Sequence, residues 1–414
     1  MPQPLSAATI AIVKATVPAL ADHGPAITRA MYARLFQDTH IAALFNQSHH
    51  HTPGGEGGGA QAKALADAIL GYARNIENLG ALGSAVERIA QKHVGLRILP
   101  EHYPFVATAL LAAIQEVLGD AATPPVLNAW GEAYWFLARV LMAREQVIYD
   151  AVAGAEGGWA GWRDFIVAEK IVESAVITSL VLAPKDGGPV LRHKAGQYLT
   201  FLLPVHGANQ APVRRNYSIS TAANGRSYRI TVKREVGGAA SPWLHDRVAV
   251  GDVLQVSPPA GDFFLAERPQ RPVILLSGGV GLTPMVAMLE TIADRHPGLE
   301  THYIHGAANS ATHALDGHVR ALAATRPHIK VATFYADPLA GDAVGVSHDA
   351  GPVTRGLVTL DWLRTNTPLA GADIYLCGPK PFLRTFVTGL AQAGVAASQI
   401  HYEFFGPAEE LMAA

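Results

Sequence analysis

The 414-residue sequence predicts a multidomain protein with an all-α domain, an antiparallel β-barrel and an α/β domain with a parallel sheet, in that order. Three changes of residue pattern predict this division. Apolar residues repeat near every 3.6 positions over residues 1–150, alternate in short segments over 163–268, and form continuous runs between helical stretches over 269–414. A chain of this length also exceeds what one hydrophobic core usually supports.

The first domain is predicted to be helical, because nothing in residues 1–150 alternates with a period of two. In the segment "AVERIAQKH" (85–93), His93 shares an apolar face with Val86 and Ile89. A histidine there is either a hydrogen-bonded core residue or a metal ligand, and one helix leaves both open. The other helical segments are "ITRAMYARLF" (27–36), "QAKALADAILGYARNIENL" (61–79), "FVATALLAAIQEVL" (105–118) and "VLNAWGEAYWFLARVLMAREQVIY" (126–149).

Two segments interrupt these patterns. Residues 46–60, "NQSHHHTPGGEGGGA", predict a solvated loop, and their three histidines are not expected to bind a metal. Residues 151–162, "AVAGAEGGWAGW", predict a linker. The barrel strands that follow are expected in "SAVITSLVLAP", "QYLTFLLP", "RNYSIST", "SYRITVKRE" and "VLQVSPPA".

The net charge and the amino-acid composition limit the kinds of binding partner that we expect. A formal charge of -2 gives no reason to expect nucleic acid or an anionic membrane. No apolar run approaches the roughly 20 residues that span a bilayer, and the N-terminus lacks a signal-peptide pattern. The single cysteine, Cys377, excludes an internal disulfide. We therefore expect a cytoplasmic protein with no obligatory membrane association.

The third domain opens with an apolar strand, a glycine-rich turn and a helix, "RPVILLSGGVGLTPM" (271–285). Glycines let the backbone approach a pyrophosphate, and Thr283 and Pro284 suit the N-cap and first turn of a helix whose free N–H groups bind phosphate. A purely structural strand-to-helix turn remains the alternative.

Two further motifs in the second domain favour nucleotide binding. In "RNYSIS" (215–220), Arg215 and Tyr217 share one face of a strand, which combines a cation for phosphate with a ring for a flat cofactor. In "GGAASPWLHD" (237–246), a second glycine turn offers Ser241 as an N-cap. Two anion sites in adjoining domains predict two nucleotides that meet at a domain interface.

Six motifs over about 160–414, "RxYS", "GGxxSxWLH", "GDFF", "SGGVGLTPM", "YLCGP" and "HYEFFGP", resemble the ferredoxin–NADP reductase family. The resemblance implies that the barrel holds FAD and the α/β domain holds NADH or NADPH. Arg215 would contact the FAD pyrophosphate, Tyr217 would stack on the isoalloxazine and Ser218 would approach its redox edge. The implied FAD residues are Tyr198, Arg215, Asn216, Tyr217, Ser218, Phe404, Phe405, Gly406 and Pro407. The implied NAD(P) residues are Gly279, Val280, Gly281, Leu282, Thr283, Pro284 and Cys377.

This chain departs from the reductase pattern at two of these positions. Phe404 stands where the family commonly has cysteine, and Leu282 replaces a common polar residue of the phosphate loop.

The first domain, with "MYARLF", "ALFN", "YARNIENL", "IAQKH" and "AWGEAYWFLARVLMAREQVIY", resembles the globin haem domain of flavohaemoglobins, so the resemblance extends over the whole chain. It implies that His93 is the proximal ligand of haem b and that Tyr32 points its hydroxyl at bound O2. Phe45, Gln61 and Leu65 would line the distal pocket. The remaining implied residues are Tyr103 and Glu145, which would form a polar network with His93, and Lys92 and Glu403, which would join the two functional halves.

The family resemblance implies a nitric oxide dioxygenase that takes electrons from NAD(P)H through FAD to haem and converts NO and O2 to nitrate. The alternatives are a haem-based O2 or redox sensor, and a flavin or haem reductase whose globin half binds lipid or another hydrophobic ligand. "HGAANSATHA" (305–314) lacks an obvious arginine for a 2′-phosphate, which favours NADH over NADPH without deciding between them. We expect a monomer.

Overall fold

A computed structural model of the chain describes residues 3–45, 57–78, 80, 83–207, 210–342, 344–345, 347–348 and 351–406. Most of the predicted loop 46–60, and the predicted site residue Pro407, lie outside these ranges. The described residues form one hydrophobic core among the N-terminal helices, one inside a barrel and one on each face of a mainly parallel sheet. The core on one face of the sheet also includes barrel-domain residues such as Ile177 and Phe263. The predicted order of three structural classes is confirmed.

The N-terminal domain is helical, as predicted. Helix α2 packs against α4 and α6, and α5 packs against α7. Buried apolar side chains such as Ile27, Leu110 and Ile114 fill the space between the helices. The described helices are α1 (Ala7–Ala15), α2 (Val17–Leu35), α3 (Thr39–Ala42), α4 (Gly57–Arg74), α5 (Gly83–Leu96), α6 (Tyr103–Leu118) and α7 (Pro124–Gly154).

Two predicted boundaries in this domain are wrong. Residues 57–60 were expected in a loop but form the first turn of α4, and residues 151–154 were expected in a linker but continue α7. In both places the helix extends into glycine-rich sequence because propensity is a weak preference that packing of the rest of the helix overrides.

The segment Pro100–Ala121, which is α6 with its flanking 3₁₀ turns, is long and apolar enough to cross a membrane by length and composition alone. The prediction that no apolar segment approaches the length of a bilayer span is therefore wrong for this segment. Because α6 packs against both α2 and α7, it is part of the helical packing of the N-terminal domain.

The second domain is a six-stranded antiparallel barrel with the strand order β4-β3-β6-β1-β2-β5. A bridge between Ile219 and Ile230 brings the two edges together. Helix α8 (Ala240–Asp246) connects the last two strands. The sequence pattern did not single out β1. The strands are β1 (Arg163–Val172), β2 (Ile177–Pro184), β3 (Tyr198–Leu203), β4 (Val213–Ser218), β5 (Tyr228–Lys233) and β6 (Val253–Val256).

The third domain contains a sheet with the order β10-β11-β9-β8-β7-β12-β13, in which β10 alone is antiparallel to its neighbour. Its strands are β7 (Val273–Gly278), β8 (Thr301–Ala307), β9 (Ile329–Tyr335), β10 (Ser347–His348), β11 (Gly351–Arg355), β12 (Asp373–Cys377) and β13 (Ile400–Glu403). Its helices are α9 (Leu282–Arg295), α10 (Asp316–Ala324), α11 (Leu360–Asn366) and α12 (Lys380–Gln392). Parallel strands place their carboxyl ends at one edge, where such sheets bind ligands.

Candidate functional site

His93 lies near the C-terminal end of α5 and contacts a buried carboxylate. Its Nδ1 is 2.7 Å from Glu145 Oε1 and 3.1 Å from the Tyr103 hydroxyl oxygen, and that hydroxyl donates to the same Oε1 over 2.6 Å. Glu145 on α7 is only 2% exposed, and burial of a carboxyl group is costly unless donors such as these compensate its lost hydration. With Nδ1–H directed to the carboxylate, Nε2 carries the lone pair that a haem iron would accept.

The Tyr103 hydroxyl acts only as a donor in this network. Burial, and next its hydrogen bond to Glu145, raise the pKa of Tyr103 far above its ordinary value. Tyr103 therefore stays protonated, and Glu145 receives two hydrogen bonds on one oxygen. The predicted grouping of His93, Tyr103 and Glu145 is present in the structure.

The predicted distal residues Tyr32, Phe45 and Leu65 belong to one apolar cluster with Phe36. The Tyr32 ring stacks on Phe36 at 5.5 Å between centroids and meets Phe45 edge-on at 5.8 Å. An aromatic and aliphatic wall of this kind fits a flat apolar macrocycle. The side chain of Gln61 lies outside the described part of the structure.

The predicted flavin residues lie on β4 and on its neighbour β3, where Tyr198 pairs with Ser218 and Phe201 with Arg215. Tyr217 packs edge-on against Phe201 at 5.6 Å. The pKa of Arg215 is lowered, mainly by burial, and none of the described carboxylates lies within 4.0 Å of its guanidinium. A half-buried cation without a carboxylate, two residues from an aromatic ring, fits the pyrophosphate and ring system of FAD.

The other predicted flavin residues are Asn216 on β4 and the segment that follows β13. The Thr200 hydroxyl donates to Asn216 Oδ1 over 2.9 Å, which orients that amide. Phe404 packs at the edge of the sheet core, and Phe405 is 49% exposed. A side chain at Gly406 would collide with the Phe404 ring, since its Cβ would lie 2.6 Å from that ring.

The glycine turn after β7 is closely packed against the end of β12. Gly279 has φ of +55°, which favours glycine, and a Cβ on Gly281 would lie 2.2 Å from the carbonyl oxygen of Cys377. Cys377 itself is fully buried, which raises the pKa of its thiol. Cys377 therefore shapes the turn through its backbone while its thiol lies in the core.

Two predicted helix caps are wrong. Gly281 precedes α9, and the Thr283 hydroxyl donates to the carbonyl of Val280 over 3.1 Å. Ser241 lies inside α8, and its hydroxyl oxygen accepts from the backbone N–H of Glu235. Leu282 is fully buried, so this departure from the family pattern faces the core and leaves only its backbone for a phosphate. Pro284 lies in the first turn of α9, as predicted.

Helix α5 meets the barrel and β13 at the junction where Lys92 and Glu403 were predicted to act together. Burial raises the pKa of Glu403 to about 7, and the charge of Lys92 partly opposes this rise. Asp262, on the barrel, raises it further and also pairs with Arg88 of α5 at 3.5 Å. The junction therefore contains charged groups from all three domains.

Sequence reasoning missed two close contacts at this junction. A Cβ on Gly95 would lie 2.9 Å from the Tyr198 hydroxyl oxygen, a buried polar atom with no hydrogen-bond partner among the described residues. Arg214 donates to the carbonyl of Leu96 and lies over the Trp162 ring. Strand alternation could have placed Arg214 opposite Arg215, but only the fold shows that it reaches α5.

We expect Gly281→Ala to weaken NADH binding and to lower the unfolding temperature, because the added Cβ forces the turn away from Cys377. Overpacking of this kind typically costs about 1–3 kcal/mol. Titration of NADH and thermal unfolding measure both effects. Gly317→Ala is the matched control, because Gly317 lies in α10 of the same domain with no atom within 4 Å of its added Cβ. Equal behaviour of the two variants would contradict the assignment of this turn.

Glu403 also predicts a pH dependence of stability. Its pKa is about 7 in the folded chain against 4.5 without perturbation, so between these values the unfolded chain releases a proton that the folded chain retains. The free energy of unfolding should therefore fall as pH rises from 4.5 to 7, and should show no further contribution from Glu403 above that range. Urea denaturation across pH should show a flatter profile for Glu403→Gln. An unchanged profile would show that Glu403 is ionised throughout.

Family models match each part of the chain. The globin model matches residues 29–141, the oxidoreductase FAD-binding domain matches 164–265 and the oxidoreductase NAD-binding domain matches 275–388. These assignments confirm the prediction of haem, FAD and a nicotinamide nucleotide as cofactors.

Full-length relatives and solved structures agree with this order. A flavohemoprotein of Xylella fastidiosa is 55% identical over 406 residues, 98% of each chain, and one of Rhizobium meliloti is 44% identical over 402 residues, covering 96% of this chain and 97% of the relative.

Among solved structures, a flavohemoglobin of Malassezia yamatoensis with bound FAD and heme aligns with a TM-score of 0.81 and 26% identity, covering 98% of this chain and all of that one. The FAD/NAD-binding domain of a nitric oxide dioxygenase from Vibrio cholerae aligns with a TM-score of 0.53 and 41% identity, over 59% of this chain and 99% of that one. The extent and order of these matches show that the chain belongs to the flavohemoprotein family.

Proposed function

We propose that this oxidoreductase is a nitric oxide dioxygenase with the overall reaction 2 NO + 2 O2 + NAD(P)H → 2 nitrate + NAD(P)+ + H+. The observation that carries the proposal is the buried carboxylate on the proximal histidine. A protein that only stores O2 has no need of this arrangement, whereas one that activates O2 does. The solved Vibrio cholerae relative, whose FAD/NAD-binding domain is described as part of a nitric oxide dioxygenase, supports the proposal.

Haem would supply a site for O2 and one-electron chemistry, and FAD would convert the hydride of NAD(P)H into single electrons. His93 would hold the haem through Nε2, while Glu145 and Tyr103 fix the ring and its Nδ1–H. A carboxylate on Nδ1 increases the electron-donating power of the ligand nitrogen. The proximal residues therefore favour the transfer of electron density towards the distal side.

On the distal side, Tyr32 would donate a hydrogen bond to the O2-derived oxygen atoms. Its ring is held by Phe36 and Phe45, so its position is fixed before the substrates enter. Preorganised donors in an apolar pocket stabilise developing negative charge without further reorganisation. The packing of Tyr32 is thus suited to promote the reaction of O2 with NO.

In the reductase half, Arg215 and Tyr217 would hold FAD, and the turn from Gly279 to Pro284 would hold the nicotinamide nucleotide. The complete set of reductase domains favours an enzyme over a sensor, because a sensor would not require a built-in electron supply. We further propose that the protein works as a cytoplasmic monomer, with no nucleic acid or obligatory membrane as partner.

We expect Tyr32→Phe to speed O2 dissociation and to lower NO consumption, because one preorganised donor is lost. Loss of such a donor typically reduces turnover by about 100- to 1000-fold. Stopped-flow O2 release and aerobic nitrate formation with NADH measure the two effects.

Tyr72→Phe provides the matched control for the distal variant. Tyr72 is a buried tyrosine of the same domain whose hydroxyl donates to the backbone carbonyl of Ala133 over 2.9 Å. Both rates should remain near wild type in this control. Wild-type protein that forms no nitrate, or a Tyr32→Phe variant with unaltered O2 release and turnover, would contradict the proposed mechanism.

Glu145→Gln should lower the iron–histidine stretching frequency and change turnover while haem stays bound, because the amide keeps the shape but removes the charge next to His93. Resonance Raman spectroscopy of the ferrous protein measures the frequency. Glu132→Gln is the control on the same helix, since Glu132 accepts from Thr9 and not from His93. A frequency shared by all three proteins would exclude the electronic role of Glu145.

A further inference from the structure

Glu290 lies in the middle of α9 and accepts four hydrogen bonds. Its Oε2 receives the Thr221 hydroxyl over 2.8 Å and the backbone N–H of Ala222 over 2.7 Å. Its Oε1 receives Arg229 Nη2 over 2.9 Å and His318 Nε2 over 2.8 Å. Thr221, Ala222 and Arg229 belong to the second domain, called the barrel domain below. Glu290 and His318 belong to the third domain, called the sheet domain below.

The carboxylate of Glu290 is buried but fully satisfied. Its side chain is 13% exposed, and a carboxylate has about four lone-pair sites, which equals the number of its donors. Burial alone would raise the pKa of Glu290, but the hydrogen bond from His318, the charge of Arg229 and the other donors bring it down to about 2. Glu290 is therefore charged at neutral pH.

The other polar contacts between these two domains are weaker. The backbone N–H of Ala175 donates to the carbonyl of Ala311 over 2.8 Å, and that of Ala266 donates to the Tyr375 hydroxyl over 3.2 Å. Both are neutral hydrogen bonds, and a third contact, from Arg295 Nη2 to the carbonyl oxygen of Ala223, is exposed and long at 3.5 Å. In the described residues, the ion pair that joins barrel to sheet domain is the one between Arg229 and Glu290.

Glu290 and its partner Thr221 each lie a short way along the backbone from one of the two candidate nucleotide sites. Glu290 follows the first residue of α9 by eight positions, about 12 Å along the helix axis, and α9 starts at the glycine turn. Thr221 follows Ser218, the last residue of β4, by three positions. Arg229 also donates to the carbonyl of Ser220, which holds the segment between them.

We propose that Glu290 is a positioning residue for hydride transfer: it fixes the orientation of the sheet domain on the barrel, so that the nucleotide held after β7 meets the flavin held on β4. Hydride transfer depends steeply on this geometry, because a misplacement of about 1 Å can cost on the order of 100-fold in rate. The inference rests on the proposed FAD and nicotinamide sites and does not depend on the chemistry of NO.

Glu290→Gln tests the role, because the amide has nearly the same shape but must direct its NH2 group against two donors. We expect the anaerobic rate of flavin reduction at saturating NADH to fall between about tenfold and 100-fold. The long-wavelength charge-transfer absorbance of nicotinamide stacked on flavin should weaken in parallel. ADP-ribose lacks the nicotinamide and is expected to bind at the nucleotide turn of the sheet domain. Its affinity should stay within about twofold of wild type, because that turn is unchanged.

Glu300→Gln is the matched control. Glu300 also accepts from a histidine and a cation, His302 over 3.0 Å and Lys330 over 3.2 Å, but all three residues lie within the sheet domain. Its flavin reduction rate should equal that of wild type. A Glu290→Gln variant reduced at the wild-type rate, or an equal loss in Glu300→Gln, would overturn the proposal.

Single-donor variants keep the test decisive if Glu290→Gln fails to fold or loses FAD. Thr221→Val and His318→Gln each weaken one hydrogen bond, and each should slow flavin reduction less than the loss of the carboxylate. Wild-type rates in both would overturn the proposal. Wild-type protein that NADH or NADPH reduces but that forms no nitrate would contradict only the proposed dioxygenase function, whereas protein that neither nucleotide reduces would contradict both the dioxygenase function and the positioning role of Glu290.

Discussion

The packing of helix α5 against the barrel is the constraint on which the arrangement of the three domains depends. The same helix carries His93 and supplies the surface on which the flavin domain docks, through Arg88, Gln91 and Gly95. Gly95 lets the Tyr198 hydroxyl approach the helix more closely than any larger residue would allow. One helix therefore sets the positions both of His93 and of the barrel residues around Tyr198. In the proposed mechanism, electrons pass from the flavin to the haem across this contact.

Strand β4 extends this coupling into the barrel, because successive side chains of a strand point to opposite faces. Arg215 lies on the face proposed to hold FAD, while its neighbour Arg214 donates to the carbonyl of Leu96 at the end of α5. A cation at that helix end also interacts favourably with the helix dipole. Strand β4 is therefore hydrogen-bonded directly to the helix that carries His93.

The sequence allowed the order of domains, the helical face of His93 and the alternation of Arg215 and Tyr217 to be predicted, because these features follow local periods of 3.6 and 2. Helix ends were predicted less well, since Gly57 and Gly154 lie in helices that packing extends. Thr283 and Ser241 were assigned as caps from residue type, whereas their hydroxyl groups find other backbone partners. Such contacts depend on tertiary geometry that no local pattern contains.

The partners of buried carboxylates escape local analysis for the same reason. The family resemblance pointed to Glu145, but nothing in the sequence pointed to Glu290, since its donors come from segments about 60–70 residues earlier and from the next helix. Replacement of a buried ion pair by apolar residues is often neutral or stabilising, so net stability is a weak reason to retain one. A buried carboxylate with several donors fixes orientation, because its hydrogen bonds form in only one relative position of the elements that carry the donors. Glu145 orients the ring of His93 in this way, and Glu290 is proposed to orient the sheet domain on the barrel domain.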